Sequence, residues 1–329
     1  MEKKRVLSGI RPTGKLHLGH WVGVLSNWVN LQDKYQCFFM VADWHALMSE
    51  YKSSREIKET IIDNVADWLA WGIDYKKSTI FVQSEVKEHL ELFMMLSVIT
   101  PLGWLFRCPT FKEQLVQLKD KEINTYAFLG YPVLQAADIL LYKAHYVPVG
   151  EDQLPHLELT REIARRFHFI YNCEIFVEPQ DILTPTPKFL GVDGRKMSKS
   201  YNNYISLDEE LTSIETKVLS MFTDPSRIKN TDRGHPDICN VFSYYKVFAP
   251  KIIEEVRDWC SNAKRGCKDC KKMMAGILTE FMGERSRKKR ELLKDKDIVI
   301  SILEEGNRKA GNFASLTMKE VKEVVMGKL

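Results

Sequence analysis

Two groups of polar residues in this 329-residue chain have the types that phosphate chemistry asks for. The first is Arg11-Pro12-Thr13-Gly14-Lys15-Leu16-His17-Leu18-Gly19-His20, and the second is Lys196-Met197-Ser198-Lys199-Ser200. His17 and His20 can donate hydrogen bonds to phosphate oxygens. Lys196 and Lys199 can neutralise a polyphosphate, and Ser198 can donate to it. Phosphoryl and adenylyl transfer need positioning and charge stabilisation more than a protein nucleophile. Singly, each group has a plainer reading: a polar helix start for the histidines, a solvated charged loop for the lysines. Their joint presence, bracketing an alternation of strands and helices, points to a nucleotide site.

Two further sets carry chemistry. Asp138 stands in the otherwise apolar run Tyr131 to Tyr142, so its carboxylate faces a pocket or a partner. There it accepts from a substrate N–H and penalises substrates without that donor; a capping or ion-paired Asp is the alternative. Cys239, Cys260, Cys267 and Cys270 have the spacing C-x20-C-x6-C-x2-C. Four thiolates suit a four-iron cluster or tetrahedral zinc, and unliganded cysteines remain the third reading. Cys37, Cys108 and Cys173 have no such spacing and read as inert. Around the four cysteines lie Lys264, Arg265, Lys268, Lys271 and Lys272, with Arg285, Arg287, Lys288, Lys289 and Arg290 beyond. These suit either a nucleic-acid backbone or a solvated helix face.

The elements that must position these groups follow from periodicity. Arg5 to Ile10 reads as a buried strand, Pro12 to Gly14 as a turn. From Leu18 the apolar residues Trp21, Val22, Leu25, Trp28 and Val29 fall at helical spacing. The first group therefore sits on a strand, a glycine-bearing turn and a helix start, where unpaired N–H groups and the dipole favour phosphate. Cys37 to Ala42, Ser78 to Gln83, Tyr146 to Val149 and Cys173 to Val177 read as further strands. Helices are expected over the segment from Ile57 to Leu69, over Glu85 to Ile99, from Leu134 to Tyr142, and over Glu151 to Phe167. Arg107 to Thr125, polar and charged, reads as an insertion or mobile loop. The alternation predicts an α/β fold, a parallel sheet with helices on both faces and ligands at the carboxyl ends of its strands. No GxGxxG follows a strand, which counts against a dinucleotide dehydrogenase. From about Gly191 strand patterns vanish. Leu207 to Met221, Ile252 to Trp259, Lys271 to Phe281, Ile298 to Glu305 and Met318 to Met326 read as helices. The expected division is a sheet domain over 1–190 and an all-helical domain over 191–329 that begins with the lysine loop.

Composition is that of a globular protein, 44% hydrophobic and 28% charged, with a net charge of +4 that is compatible with a nucleic-acid partner. The start of the chain has no apolar signal-peptide core, and no apolar run approaches membrane-spanning length. Seven cysteines in that context argue for reduced thiols and a cytoplasmic location.

His17-Leu18-Gly19-His20 resembles the HIGH motif, and Lys196-Met197-Ser198-Lys199-Ser200 the KMSKS motif, of class I aminoacyl-tRNA synthetases. Tyr131 to Tyr142, Val147 to Gln153 and His156 to Arg161 resemble blocks of the bacterial tryptophanyl-tRNA synthetases rather than of the related tyrosyl enzymes. The resemblance covers nearly the whole chain. It implies a Rossmann-like catalytic domain, a helical anticodon-reading domain and a homodimer. The implied reaction joins L-tryptophan to ATP, as its Mg2+ complex, and then to the 3′ end of tRNA(Trp), with His17, His20, Lys196 and Lys199 stabilising charge. By the same resemblance Arg11, Pro12, Thr13, Gly19 and His20 contact ATP, with Gly150, Glu151 and Asp152 and the loop Lys196, Met197, Ser198, Lys199 and Ser200. Asp138 receives the indole N–H, and Tyr131 and Gln153 line the amino-acid pocket. The chain departs from the family in three places: Arg11 stands where many members have Gln, Gln135 where some have Met, and His20 where Asn is frequent. Some members with a similar cysteine pattern hold a [4Fe-4S] cluster, which the resemblance extends to Cys239, Cys260, Cys267 and Cys270, with zinc as the alternative. A tyrosyl enzyme and a non-enzymatic RNA-binding paralogue are the competing readings; intact histidines and lysines at both motifs oppose the second.

Overall fold

The computed structural model describes residues 3–108, 122–183 and 189–327. Five strands form one parallel sheet: β1 (Arg5–Ile10), β2 (Gln36–Val41), β3 (Ser78–Val82), β4 (Tyr146–Val149) and β5 (Gln180–Leu183). Their spatial order is β3-β2-β1-β4-β5, with Val6 opposite both Cys37 and Tyr146. The order reverses between β1 and β4, and a crevice opens there at the carboxyl ends. β2 is a continuous apolar run because both faces of the sheet are covered; Phe38, Phe39, Met40 and Val41 are all buried.

Helices fill the connections. α1 runs from Leu18–His20 through a π-helical turn, Trp21–Leu25, into Ser26–Leu31. α2 (Asp43–Glu50), α3 (Ser54–Ala70), α4 (Glu88–Ile99), α5 (Leu102–Arg107), α6 (Tyr126–Leu141) and α7 (Leu154–Tyr171) follow. After β5 come α8 (Leu211–Leu219), α9 (Asn240–Phe248), α10 (Ile253–Ser261), α11 (Cys267–Lys294) and α12 (Lys296–Met326). Residues 109–121, most of the segment read as an insertion, lie outside the described residues.

Several elements differ from the periodicity, and three of them bear on the sheet and its crevice. Cys173 to Val177 is not a strand. Phe176 is buried against Phe167, and its N–H donates to His168 Nε2 at 3.0 Å, so this apolar run packs on the end of α7. The fifth strand is instead Gln180–Leu183, an edge strand with no fully buried residue. α6 begins at Tyr126 rather than near Leu134. Thr125 caps it by accepting from the Phe128 N–H at 3.2 Å, and Pro132 lies inside the helix. Loss of one N–H at Pro132 is offset by burial of most of this helix. Last, α12 is one helix where the sequence suggested two short ones. The interruption contains Gly306 and Asn307. A Cβ on Gly306 would run into the Ile80 carbonyl oxygen, so the missing side chain lets α12 lie directly against β3. Asn307 Oδ1 there accepts the Val82 N–H at 2.8 Å, and α12 closes the open edge of the sheet.

The helices after β5 pack back onto the sheet unit. Ala310, Ala314, Met318 and Val321 of α12 share one core with Phe38, Phe81, Leu92 and Leu96. Lys289 of α11 is buried beside α3, with Nζ 2.9 Å from Asp67 and 3.0 Å from Asp63. No helix among the described residues is long and apolar enough to cross a membrane.

Candidate active site

β1 ends at Ile10, and the chain turns through Arg11, Pro12, Thr13 and Gly14. Gly14 has φ +102°, a conformation that side chains disfavour. The next residues pair with a segment nearly two hundred positions away: the Leu18 N–H donates to the Ile205 carbonyl at 2.9 Å, and Leu207 N–H to the Leu16 carbonyl at 3.0 Å. That pairing brings the lysine loop onto the helix start. Lys199 Nζ donates to the Thr13 carbonyl at 2.7 Å, and the Gly19 N–H meets Met197 Sδ at 3.3 Å. Inside the loop, buried Asn203 accepts the Ser198 N–H at 2.8 Å and donates to Asp193 at 2.7 Å. Lys196 and Ser200 are exposed.

The two histidine rings lie close together, their centroids 3.8 Å apart and their planes tilted by 40°. The His17 N–H donates to His20 Nδ1 at 3.1 Å, so the neutral His20 ring carries its proton on Nε2. Burial first, then the Lys199 charge, lowers His17 to about 4. Burial, His17 and Lys199 hold His20 well below the ordinary histidine value. At neutral pH both rings are uncharged N–H donors, and the positive charge comes from the lysines.

Beside this turn, a cavity of about 390 Å³ opens between the carboxyl ends of β1, β2 and β4 and helix α6. Arg11, Tyr131, Gln135, Asp138, Gly150 and Gln153 line it, with Trp28, Met40, Val147 and Val149 as apolar wall. Its size and lining suit a bulky apolar side chain with a few polar anchors. Glu151 and Asp152 form a short exposed turn at its rim. Asp138 is buried, and three donors hold it: His45 Nε2 at 2.7 Å, His89 Nδ1 at 2.6 Å and Gln83 Nε2 at 2.8 Å. Burial alone would raise its pKa, but hydrogen bonds and charge from His45 and His89 outweigh that and keep it below the usual carboxylate value. Tyr131 hydroxyl is 2.7 Å from His156 Nε2, and Gln153 Oε1 2.9 Å from His156 Nδ1.

Sequence reasoning missed His45, Gln83, His89 and Asn203, and placed His156 in a family block without giving it a role. His45 follows β2 by a few residues, where ligand groups of a parallel sheet gather, and that position was its one signal. His89 and Gln83 touch only protein and left no pattern.

The four cysteines come from separate places: before α9, in α10, and at the first turn of α11. They line one small cavity of about 30 Å³, together with Arg227, Arg265, Val241, Val256 and Trp259. Cys239, Cys260 and Cys270 are raised above the ordinary thiol value by burial, Cys270 to about 11. Among the described residues no three His, Cys, Asp or Glu side chains converge at metal-ligand distance. The donor set nonetheless fits a thiolate-bound group. A Cβ on Gly234 would stand 2.6 Å from Cys260 Sγ, so the backbone there leaves the sulfur its space. Arg227 Nη1 is 3.8 Å from Cys267 Sγ, a positive neighbour for a negatively charged thiolate site.

Residues 1–283 match the family described as tRNA synthetases class I (W and Y). A Thermotoga maritima tryptophan–tRNA ligase is 48% identical over 98% of both chains. The Aquifex aeolicus ligase is 41% identical over 98% of this chain and 99% of its own. The Campylobacter jejuni tryptophanyl-tRNA synthetase, solved with ADP and tryptophan, superposes with TM-score 0.87 at 32% identity, over 97% of this chain and 98% of that one. With both signature motifs gathered at one sheet crevice, the chain belongs to the class I tRNA synthetases, among the tryptophan–tRNA ligases.

Proposed function

We propose that the cavity binds L-tryptophan with its indole N–H on Asp138, and that the adjoining turn and loop bind Mg-ATP. Arg11, Pro12, Thr13, Gly19 and His20 take the nucleotide from one side, Gly150, Glu151 and Asp152 from the rim, and Lys196 to Ser200 from above. The tryptophan carboxylate attacks the α-phosphate in line, forming a C(O)–O–P bond as the bond to pyrophosphate breaks. His17 and His20 donate to the phosphates, and Lys196 and Lys199 offset the charge that builds on the leaving group. The terminal ribose hydroxyl of tRNA(Trp) then takes the tryptophanyl group and AMP leaves. The observation carrying this reading is the 2.7 Å bond from Lys199 to the Thr13 carbonyl: the loop cation stands on the turn that the helix start shares with the cavity.

The division into a catalytic unit over 1–190 and a loop-plus-anticodon unit over 191–329 belongs to the same proposal, as does a cytoplasmic location. A homodimer is supported by an exposed apolar stripe: Leu90, Met94 and Val98 recur on one face of α4, with Leu102 and Phe106 beyond. Cys239, Cys260, Cys267 and Cys270 would hold a [4Fe-4S] cluster, or zinc in its place. When bound, that group cross-links four points of the helical part and supplies no step of the chemistry. The basic residues around it would meet the tRNA backbone.

Lys199→Ala tests the assignment of the loop. ATP–pyrophosphate exchange should fall by roughly two to three orders of magnitude, as for loss of a donor to developing charge, while tryptophan affinity stays near wild type. Equal losses in affinity and rate would remove Lys199 from the transition state.

A further inference from the structure

The part of the cavity wall that holds Tyr131 and Gln153 carries a chain of hydrogen bonds whose direction can be worked out. His156, at the start of α7, is 1% exposed. Its Nδ1 stands 2.9 Å from Gln153 Oε1 and its Nε2 2.7 Å from the Tyr131 hydroxyl. Gln153 Nε2 donates to Asp152 Oδ2 at 2.9 Å. This last bond orients the amide, because turned over it would set its oxygen against a carboxylate. Gln153 therefore offers His156 an oxygen, which only accepts, so the proton of the ring is on Nδ1. Burial lowers His156 to about 4, against the attraction of Asp152 and with the repulsion of His45. The ring is neutral at pH 7, and its Nε2 is an acceptor. Tyr131 must then be the donor of that bond. Anything else that meets the Tyr131 oxygen has to bring its own proton, and the same holds for Gln153 Oε1.

We infer that His156 is a positioning residue that fixes Tyr131 and Gln153 as acceptors for the ammonium group of the amino-acid substrate. Of the two groups of tryptophan that offer donors alone, the indole N–H is taken by Asp138 in the proposed complex, and the ammonium is the other. With a proton on Nε2 instead, the ring would free the Tyr131 proton to point into the cavity, against a cation. The inference rests on the reading of this cavity as the tryptophan site and adds how its polar end is set.

Binding of two ligands to the full-length protein separates this role from a general packing role. L-tryptophan has the ammonium; indole-3-propionate keeps the indole and the carboxylate without it. His156→Ala should weaken tryptophan binding roughly 10- to 100-fold, the range for a lost bond to a charged group. Indole-3-propionate should change by no more than about twofold. His156→Gln should restore tryptophan binding, because an amide can accept from Tyr131 and donate to Gln153 at once. Unchanged tryptophan affinity in His156→Ala, equal weakening of both ligands, or no recovery in His156→Gln overturns the inference. Should His156→Ala not fold, His156→Phe, which keeps a ring without either hydrogen bond, carries the same contrast, a selective loss for tryptophan supporting it and an equal loss for both ligands overturning it. A wild-type protein that binds neither ligand would defeat the reading of the cavity, whereas normal wild-type binding with an unaltered ligand ratio in the variant defeats only the role of His156.

Discussion

In the proposed complex Asp138 holds two kinds of partner with one carboxylate. His45, His89 and Gln83 occupy three of its acceptor positions, and a carboxylate has about four. In the proposed complex the indole N–H takes the remaining acceptor position. Asp138→Ala should therefore raise the tryptophan KM and erode discrimination against phenylalanine and tyrosine by about 100-fold or more. Pyrophosphate-exchange kinetics with the three amino acids check this, and unchanged selectivity places the indole elsewhere. The same variant leaves buried His89 and half-buried His45 without their acceptor, so its melting temperature should fall as well. At this scale the sequence was legible where a residue's type was out of place, such as a carboxylate in an apolar run or lysines flanking serine. His89 and Asn203 bond only to other parts of the protein, and a buried supporting group of that kind has no spacing to betray it.

Burial made the inner strands legible but did not decide every element: most of α6 is buried and its start was still missed. β1, β2 and β3 are covered on both faces and read as apolar runs; β5 is a half-exposed edge and did not. α12 was broken in two by Gly306, whose role is a close approach to β3 that only tertiary structure reveals. Gly306→Ala should cost about 3 kcal/mol or more, because the backbone of Ile80 cannot yield as a side chain would. Gly276, exposed in α11 with nothing near its would-be Cβ, is the control: Gly276→Ala should stabilise by up to about 1 kcal/mol. Denaturant melts of the two variants give opposite signs if the packing of α12 is as described. A third element-scale contact joins the segment after the lysine loop to the rest. Asp208 accepts from Lys15 at 2.8 Å and lies 3.5 Å from Lys289. Burial opposes its ionisation, but Lys15, Ser206 and Lys289 outweigh that and lower it to about 2. A carboxylate lowered on folding stabilises above its unfolded pKa, near 4, and that contribution fades as pH falls through about 2. Asp208→Asn should therefore be less stable than wild type by about 2 kcal/mol at pH 7, with the gap closing between pH 4 and pH 2. A gap independent of pH would mean that the Asp208 charge does not carry it.

For the whole molecule, the catalytic crevice and the cysteine site make separable demands. Anaerobically purified protein holding a cubane should be brown, with about four iron and four sulfide per chain; a colourless protein with one zinc keeps the site and rejects the cluster. Cys267→Ser should lose the group and reduce tRNA charging while tryptophanyl-adenylate formation survives, since Asp138 and the lysine loop draw on other elements. The fold that gathers these parts follows from an alternation visible in the sequence. The return of α11 and α12 onto the sheet does not, because helices that pack on a distant core show only that one face is apolar. The central claim is that this crevice activates tryptophan with ATP, and ATP–pyrophosphate exchange driven by tryptophan and by tyrosine tests it most directly. Exchange should proceed with tryptophan at micromolar to millimolar concentrations, of the order of ordinary KM values, and be slower with tyrosine by at least about 1,000-fold, as for a site built around a donor the competitor cannot present. Exchange driven by tyrosine, or by neither amino acid, would contradict the account.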